Sequence, residues 1–112
     1  MQVKAAEAVE GEAVEMEGCS NVTMRMLIGP ADGAPNFNMR LFEVAPGGHT
    51  PLHSHQWEHE VYVLAGAGSV CSADREQPLA PGHCVFVPPG EQHQFRSAAD
   101  QPLKFLCLVP RS

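Results

Sequence analysis

The chain has 112 residues, 44% of them hydrophobic, which is one domain able to bury on the order of two thirds of its unfolded surface and no room for a second. Thirteen acidic against seven basic residues give a formal charge of −6, which argues against a nucleic-acid surface. No apolar run approaches the roughly 20 residues of a membrane helix and the N-terminus lacks a signal peptide's apolar segment, so a cytoplasmic protein without membrane contact is expected.

Ten prolines and ten glycines punctuate short apolar runs, and helical periodicity is scarce; both point to an all-β chain. Residues 1–18 are rich in Glu and Ala, which leaves a helix open at the start. Their end, Val14-Glu-Met16-Glu-Gly18, alternates apolar and charged groups as a short edge strand does. Residues 22–28 place Val22, Met24, Met26 and Ile28 on one face opposite Thr23 and Arg25, the pattern of a half-buried strand. Residues 29–35 hold two prolines and two glycines and read as a loop. Residues 37–45 carry apolar groups on both faces, with Phe37, Met39 and Leu41 on one and Phe42 and Val44 on the other. One face can fill a core; the other needs separate cover.

The stretch from Gly47 to Gly66 sets three of six histidines, His53, His55 and His59, within seven residues. On a strand, residues two apart project from one face at about 6.6–6.8 Å spacing, and imidazole nitrogens bind divalent metals at about 2.0–2.1 Å, so the rings of His53 and His55 can converge on one ion. A turn over Gln56-Trp57-Glu58 returns His59 on a strand that continues through Val61 and Val63. After the turn at Gly66-Ala-Gly68, residues 69–72 run back and residues 73–76 turn again. A second stretch, Gly82 to His93, repeats the build of the first: glycine turn, apolar strand Cys84-Val-Phe-Val87, proline-glycine turn, then histidine. His93, Phe95 and Ser97 share a face. In the last strand, residues 103–109, Phe105, Cys107 and Val109 oppose Lys104, Leu106 and Leu108.

These two stretches resemble the paired signature motifs of the cupin superfamily over roughly residues 36–109. Gly47, His53, His55 and Gly66 occupy the first motif, with His59 where a glutamate is usual and Glu60 one place late; Gly82, Pro88, Gly90 and His93 occupy the second, with Ser97 in place of asparagine. The resemblance implies an antiparallel cupin (double-stranded β-helix, or jelly-roll) barrel spanning 1–112 as one domain. Residues 1–35 would form N-terminal strands and a loop, and 36–109 the barrel core. The His-rich wording is similar to a group of small single-domain cupins whose four histidines hold manganese. That implies one divalent metal on His53, His55, His59 and His93, Mn foremost, with Fe, Ni, Cu or Zn as alternatives. It also implies a homodimer built on outer strands.

Four neutral donors leave the full charge of the ion in place, and an octahedral ion would keep two sites open, whereas tetrahedral zinc would be closed. An oxidoreductase of dioxygenase or peroxide-using type, acting on a small apolar or chelating substrate, is therefore expected. A non-catalytic binding or sensor module with a structural metal, and a sugar isomerase or epimerase, stand as alternatives. Phe95 shares the face of His93, and Phe105 and Cys107 share one face of the last strand, which the resemblance turns inward. Arg40, on the parity of Phe42 and Val44, reads as a pocket cation or as an outward arginine, and with Phe42 these residues are the expected pocket. His49 and His83 follow turn glycines and read as solvated, Trp57 and Tyr62 as packing residues, Glu58 as solvated, and Glu60 as an outward carboxylate or a partner of a ligand imidazole. The cysteines at 19, 71, 84 and 107 form no Cys-x-x-Cys pair and read as reduced, small hydrophobes.

Overall fold

Alternating burial shows which face of each strand turns inward. A computed structural model describes residues 1–111 and places nine strands in them: β1 (Glu12–Ala13), β2 (Ser20–Ile28), β3 (Phe37–His49), β4 (His59–Gly66), β5 (Gly68–Cys71), β6 (Glu76–Leu79), β7 (Cys84–Val87), β8 (Gln94–Ser97) and β9 (Leu103–Pro110). The only helical pieces among the described residues are single 3-10 turns at Ala6–Ala8 and Pro30–Asp32. The fold is all-β, an antiparallel sheet curled into a cupin-type barrel.

Hydrogen-bonded neighbours run β6-β5-β8-β3-β9-β4-β7, and β2 lies on the other side of β3 with β1 beyond it. Strand β3 is long enough to serve both halves. Its first eight residues pair with β9 from Phe37↔Pro110 to Val44↔Leu103, while its last, His49, pairs with Arg96 of β8. At that crossing Ser97 donates from its hydroxyl to the carbonyl of Ala45 at 2.5 Å and accepts from the amide of Gly48 at 3.0 Å. A serine at this position thus pins the bend where the chain leaves one half of the barrel for the other.

The inner faces meet in one apolar core. Val44, Val63 and Leu103 are completely buried, and Phe105 and Cys107 nearly so, because β9 alternates strictly between buried odd and half-buried even positions. β4 does the same with His59, Val61 and Val63 inside and Glu60, Tyr62 and Leu64 outside. Leu41 is also buried, on the opposite face from Val44, so β3 does carry apolar groups that are covered on both sides. Tyr62, Leu64 and Phe86 remain exposed on the outer face; Tyr62 is therefore not a packing residue of the site.

Three local expectations change. The N-terminal edge strand sits at Glu12–Ala13 and not at residues 14–18; Val14 still donates to the Val22 carbonyl at 2.9 Å, and Val14 and Met16 line the cavity. A bulge lets Met26 and Ile28 face Arg40 and Met39 in succession, so the parity of β2 flips: Leu27 is buried while Met26 and Ile28 are exposed. Strand β6 was not legible because its four residues include Pro78, and it lies at the edge of the sheet.

Gly66 closes β4 with a φ of +91°, and a β-carbon there would run into the backbone carbonyl of Pro102. Both the left-handed backbone and the close approach exclude a side chain. Gly66→Ala should therefore lower the free energy of urea unfolding by about 2 kcal/mol or more, well above a surface glycine change.

Candidate metal centre

Backbone pairing, before any side chain is considered, brings the two histidine-bearing stretches together. Beyond His49 the chain leaves regular strand geometry but stays zipped to the stretch before β8. Thr50 donates to Phe95 at 2.8 Å, His53 and His93 exchange amide-carbonyl bonds at 3.1 and 2.9 Å, and Gly90 donates to His55 at 2.7 Å. His53 and His55 thus lie on an extended segment held by isolated bonds, and not within a continuous strand as the spacing suggested. His59 opens β4, where it pairs with Val87, and faces inward.

One ligand atom each from His53, His55 and His93 lie within 4.8 Å of one another. His59 falls outside that group of three, yet its ring is 4.3 Å from that of His55 and 5.2 Å from that of His93. The sequence grouped four imidazoles; the structure gathers three ligand atoms and sets the fourth ring against two of them.

Hydrogen bonds orient the rings. Nδ1 of His55 is 2.9 Å from the carbonyl oxygen of Trp57, and Nδ1 of His93 is 2.9 Å from that of Glu91. A carbonyl only accepts, so each Nδ1 carries the proton and each Nε2 is left with a lone pair. Those two Nε2 atoms are buried and have no hydrogen-bond partner. An orphaned buried acceptor costs about 1–3 kcal/mol, and a divalent cation would satisfy both at once. The donors present therefore fit an imidazole-bound divalent metal. Trp57 contributes more than packing, since its ring also stacks on His55 at 4.4 Å and 4°.

Protonation is opposed at the same positions. Burial first, and then the neighbouring His93, His55 and Arg40, hold the His53 imidazole below its usual range. His59 is pushed down to about 3, by burial above all and then by His55 and Arg40. His93 is lowered by burial, against a partial opposing pull from the Glu91 carbonyl. All three rings are thereby kept as neutral donors.

The cluster opens on a cavity of about 210 Å³. Its wall includes His53, His59 and His93 together with Arg40, Phe42, Phe95, Phe105 and Cys107. Phe42 stacks on Phe105 at 5.4 Å and Phe105 on Phe95 at 4.7 Å, which makes a slab of three rings. The Arg40 guanidinium lies 5.0 Å from the Phe42 centroid, and among the described residues no carboxylate pairs with it. Val14, Met16, Cys19, Val22 and Met24 close the remaining side. Sequence reasoning missed these. Their signal was the run of methionines and valines ahead of the loop, which was read as sheet only.

Other candidates fall away. Glu60 is exposed on the outer face of β4 and orients no imidazole; carbonyls take that part. Glu58 is exposed. His49 is half-buried with its Nδ1 near the Thr50 carbonyl and Gln94, and His83 accepts from the Ala80 amide at 3.1 Å across its turn. The four cysteines are free thiols. No helix among the described residues is long and apolar enough to cross a membrane.

A family model described as "Cupin domain" matches residues 40–109. The polyketide cyclase RemF from Streptomyces resistomycificus superposes with a TM-score of 0.94 and 39% identity, over 98% of this chain and 79% of that one. A 1-methylthio-D-xylulose 5-phosphate methylsulfurylase from Rhodospirillum rubrum is 44% identical over 71 residues, 63% of this chain and 46% of that protein. An oxalate-binding protein from Thermotoga maritima is 31% identical over 74 residues, 62% of this chain and 61% of that protein. The matched stretch thus spans about half to three fifths of these two curated relatives.

Acid should unfold the metal-free protein through its imidazoles. An unfolded histidine takes a proton near ~6.5, whereas His59 in the fold resists until about 3. Between those values the unfolded state binds more protons, so stability is full above about pH 6.5 and falls progressively as pH drops toward 3. Urea unfolding of chelator-treated protein across that window should show the decline, and His59→Gln should flatten it.

Proposed function

We propose that this chain, which belongs to the cupin family, holds one divalent metal with His53, His55, His59 and His93 and uses it on a small, flat, carbonyl-bearing substrate, closing a ring in a short polyketone. The observation that carries this reading is the meeting of an aromatic slab, an unpaired guanidinium and a cluster of neutral imidazoles in one cavity. The likeness to a polyketide cyclase over nearly the whole chain supports the choice of reaction. Manganese is the proposed metal, from the all-imidazole donor set the sequence resembles.

When bound, the metal would supply Lewis acidity toward a carbonyl oxygen. The protein's own groups do the rest. The rings of Phe42, Phe105 and Phe95 press a folded chain of alternating carbonyls and methylenes flat, which brings its ends within bonding distance. A cavity of about 210 Å³ exceeds the ~150 Å³ that houses benzene in an engineered core, so one or two fused rings fit. The wall residues include no carboxylate. The methylene between two carbonyls is acidic enough to lose its proton to water, and Arg40 donates from its guanidinium to the oxygen on which negative charge then collects. Apolar walls keep water from the carbonyl carbon under attack.

An oxidoreductase of dioxygenase or peroxide-using type is the second reading. Arg40 favours it, since an unpaired cation beside the imidazole cluster would equally hold an anionic oxygen species. Incubating the manganese-loaded protein with short β-polyketones separates the two. Ring closure releases water and consumes no oxidant; uptake of dioxygen or peroxide in step with turnover would replace the first reading with the second. His93→Ala should abolish turnover with the barrel intact by circular dichroism, and Arg40→Met should cut kcat about 10²-fold or more.

The exposed Tyr62, Leu64 and Phe86, beside half-buried Leu106 and Leu108, support a homodimer as part of this proposal. Sedimentation at micromolar concentration should give the mass of two chains, and a single-chain mass would remove it.

A further inference from the structure

Resting on the metal-binding reading above, we propose that Cys107 is a positioning residue for the metal centre: its sulfur accepts the Nδ1 proton of His59 and so frees that ring's Nε2 for the ion. Strands β3, β9 and β4 lie side by side, with Arg40 facing Cys107 and Cys107 facing Val61 in the pairing register. His59 shares the inward parity of Val61, two residues away. Arg40, Cys107 and Val61 thus form one row across the inner wall, and His59 lies diagonally next to Cys107 on the same face.

The contacts follow that layout. Nη2 of Arg40 donates to the Cys107 sulfur at 3.2 Å, and the sulfur is 3.3 Å from Nδ1 of His59. A guanidinium has no acceptor, so the first contact uses a sulfur lone pair. Cys107 is 1% exposed and lies in the wall of the same cavity that His93, 4% exposed and with an unpartnered Nε2, also lines. That orphaned nitrogen marks the cavity as a cation site independently of the cysteine.

His59 differs from its neighbours in what holds it. His55 and His93 rest on backbone carbonyls, which accept only and settle the tautomer. The partner of His59 is a thiol, which can accept or donate. If the thiol donates to Nδ1, the ring proton moves to Nε2 and that nitrogen cannot bind a cation. If the sulfur accepts, Nε2 is free and the ring plane is fixed. The thiol proton then turns away from both donors. Loading the ion selects this second arrangement.

The test is Mn(II) and Co(II) binding by calorimetry to the full chain. Cys107→Val should weaken binding about 10–100-fold and shift the Co(II) ligand-field spectrum, while Cys107→Ser, which keeps an acceptor, should recover most of the loss. Because the cysteine acts through His59, adding Cys107→Val to His59→Ala should cost nothing beyond His59→Ala alone. Equal affinity in Cys107→Val, or additive losses in the pair, would overturn the proposal. So would an intense near-ultraviolet thiolate band in the Co(II) protein, which would make the sulfur a ligand. If Cys107→Val fails to fold, nitrogen NMR of the metal-loaded wild type decides, since a proton on Nε2 of His59 excludes the arrangement. Absence of Mn(II) and Co(II) binding to wild type would sink the metal reading itself, an outcome distinct from binding that ignores Cys107.

Discussion

The reciprocal backbone bonds between His53 and His93 are the constraint from which the site descends. They join segments forty residues apart, and each carries an imidazole only because its backbone is already committed to the other. Had the two stretches met through side chains alone, three ligand atoms within 4.8 Å would depend on flexible rotamers. With amide-carbonyl bonds at Thr50, His53 and Gly90 the spacing is set by backbone contacts between the two segments, and the rings need only be turned. Sites carried on such a scaffold hold their geometry better than sites on free loops.

Turning the rings is done by carbonyls, and that choice has an electrostatic consequence. A carboxylate behind each imidazole would raise its basicity and invite a proton. A carbonyl pulls only partly toward the charged form and burial outweighs it, so the neutral form, which is the form that binds a cation, prevails. The cluster is also poor company for itself once charged, since His53, His55, His93 and Arg40 each disfavour protonation of a neighbour. A divalent ion would meet a set of donors that gain little by taking protons instead.

Much of this was legible in the residues. Period-two alternation in 103–109 and 59–64 foretold the inward faces of β9 and β4, because each has one face to the core and one outside. Arg40, Phe42, Phe95, Phe105 and Cys107 do line the cavity, but parity only grouped them by face, and it was the resemblance that turned the face of Phe105 and Cys107 inward. What escaped had no periodic signal. The bulge in β2 exchanges Leu27 for Met26 by one extra residue in the ladder, a tertiary accommodation that alternation cannot encode. That Val14, Met16 and Cys19 line the cavity depends on where the barrel mouth lies, which is a property of the closed sheet. Trp57 was read as packing because its ring was counted and its carbonyl was not.

The same blindness explains the fourth imidazole. Spacing treats His53, His55, His59 and His93 as equivalent, since each falls at a motif position. The environment does not: His55 and His93 lean on main-chain acceptors, whereas the ring of His59 leans on a side chain from β9 that is itself tied to β3. A main-chain acceptor is supplied by any residue type, so it survives substitution at that point. A sulfur acceptor exists only while residue 107 is cysteine. His59 is therefore the ring coupled through Cys107 to Arg40. The Arg40 guanidinium on one side and the orientation of an imidazole on the other meet at the Cys107 sulfur.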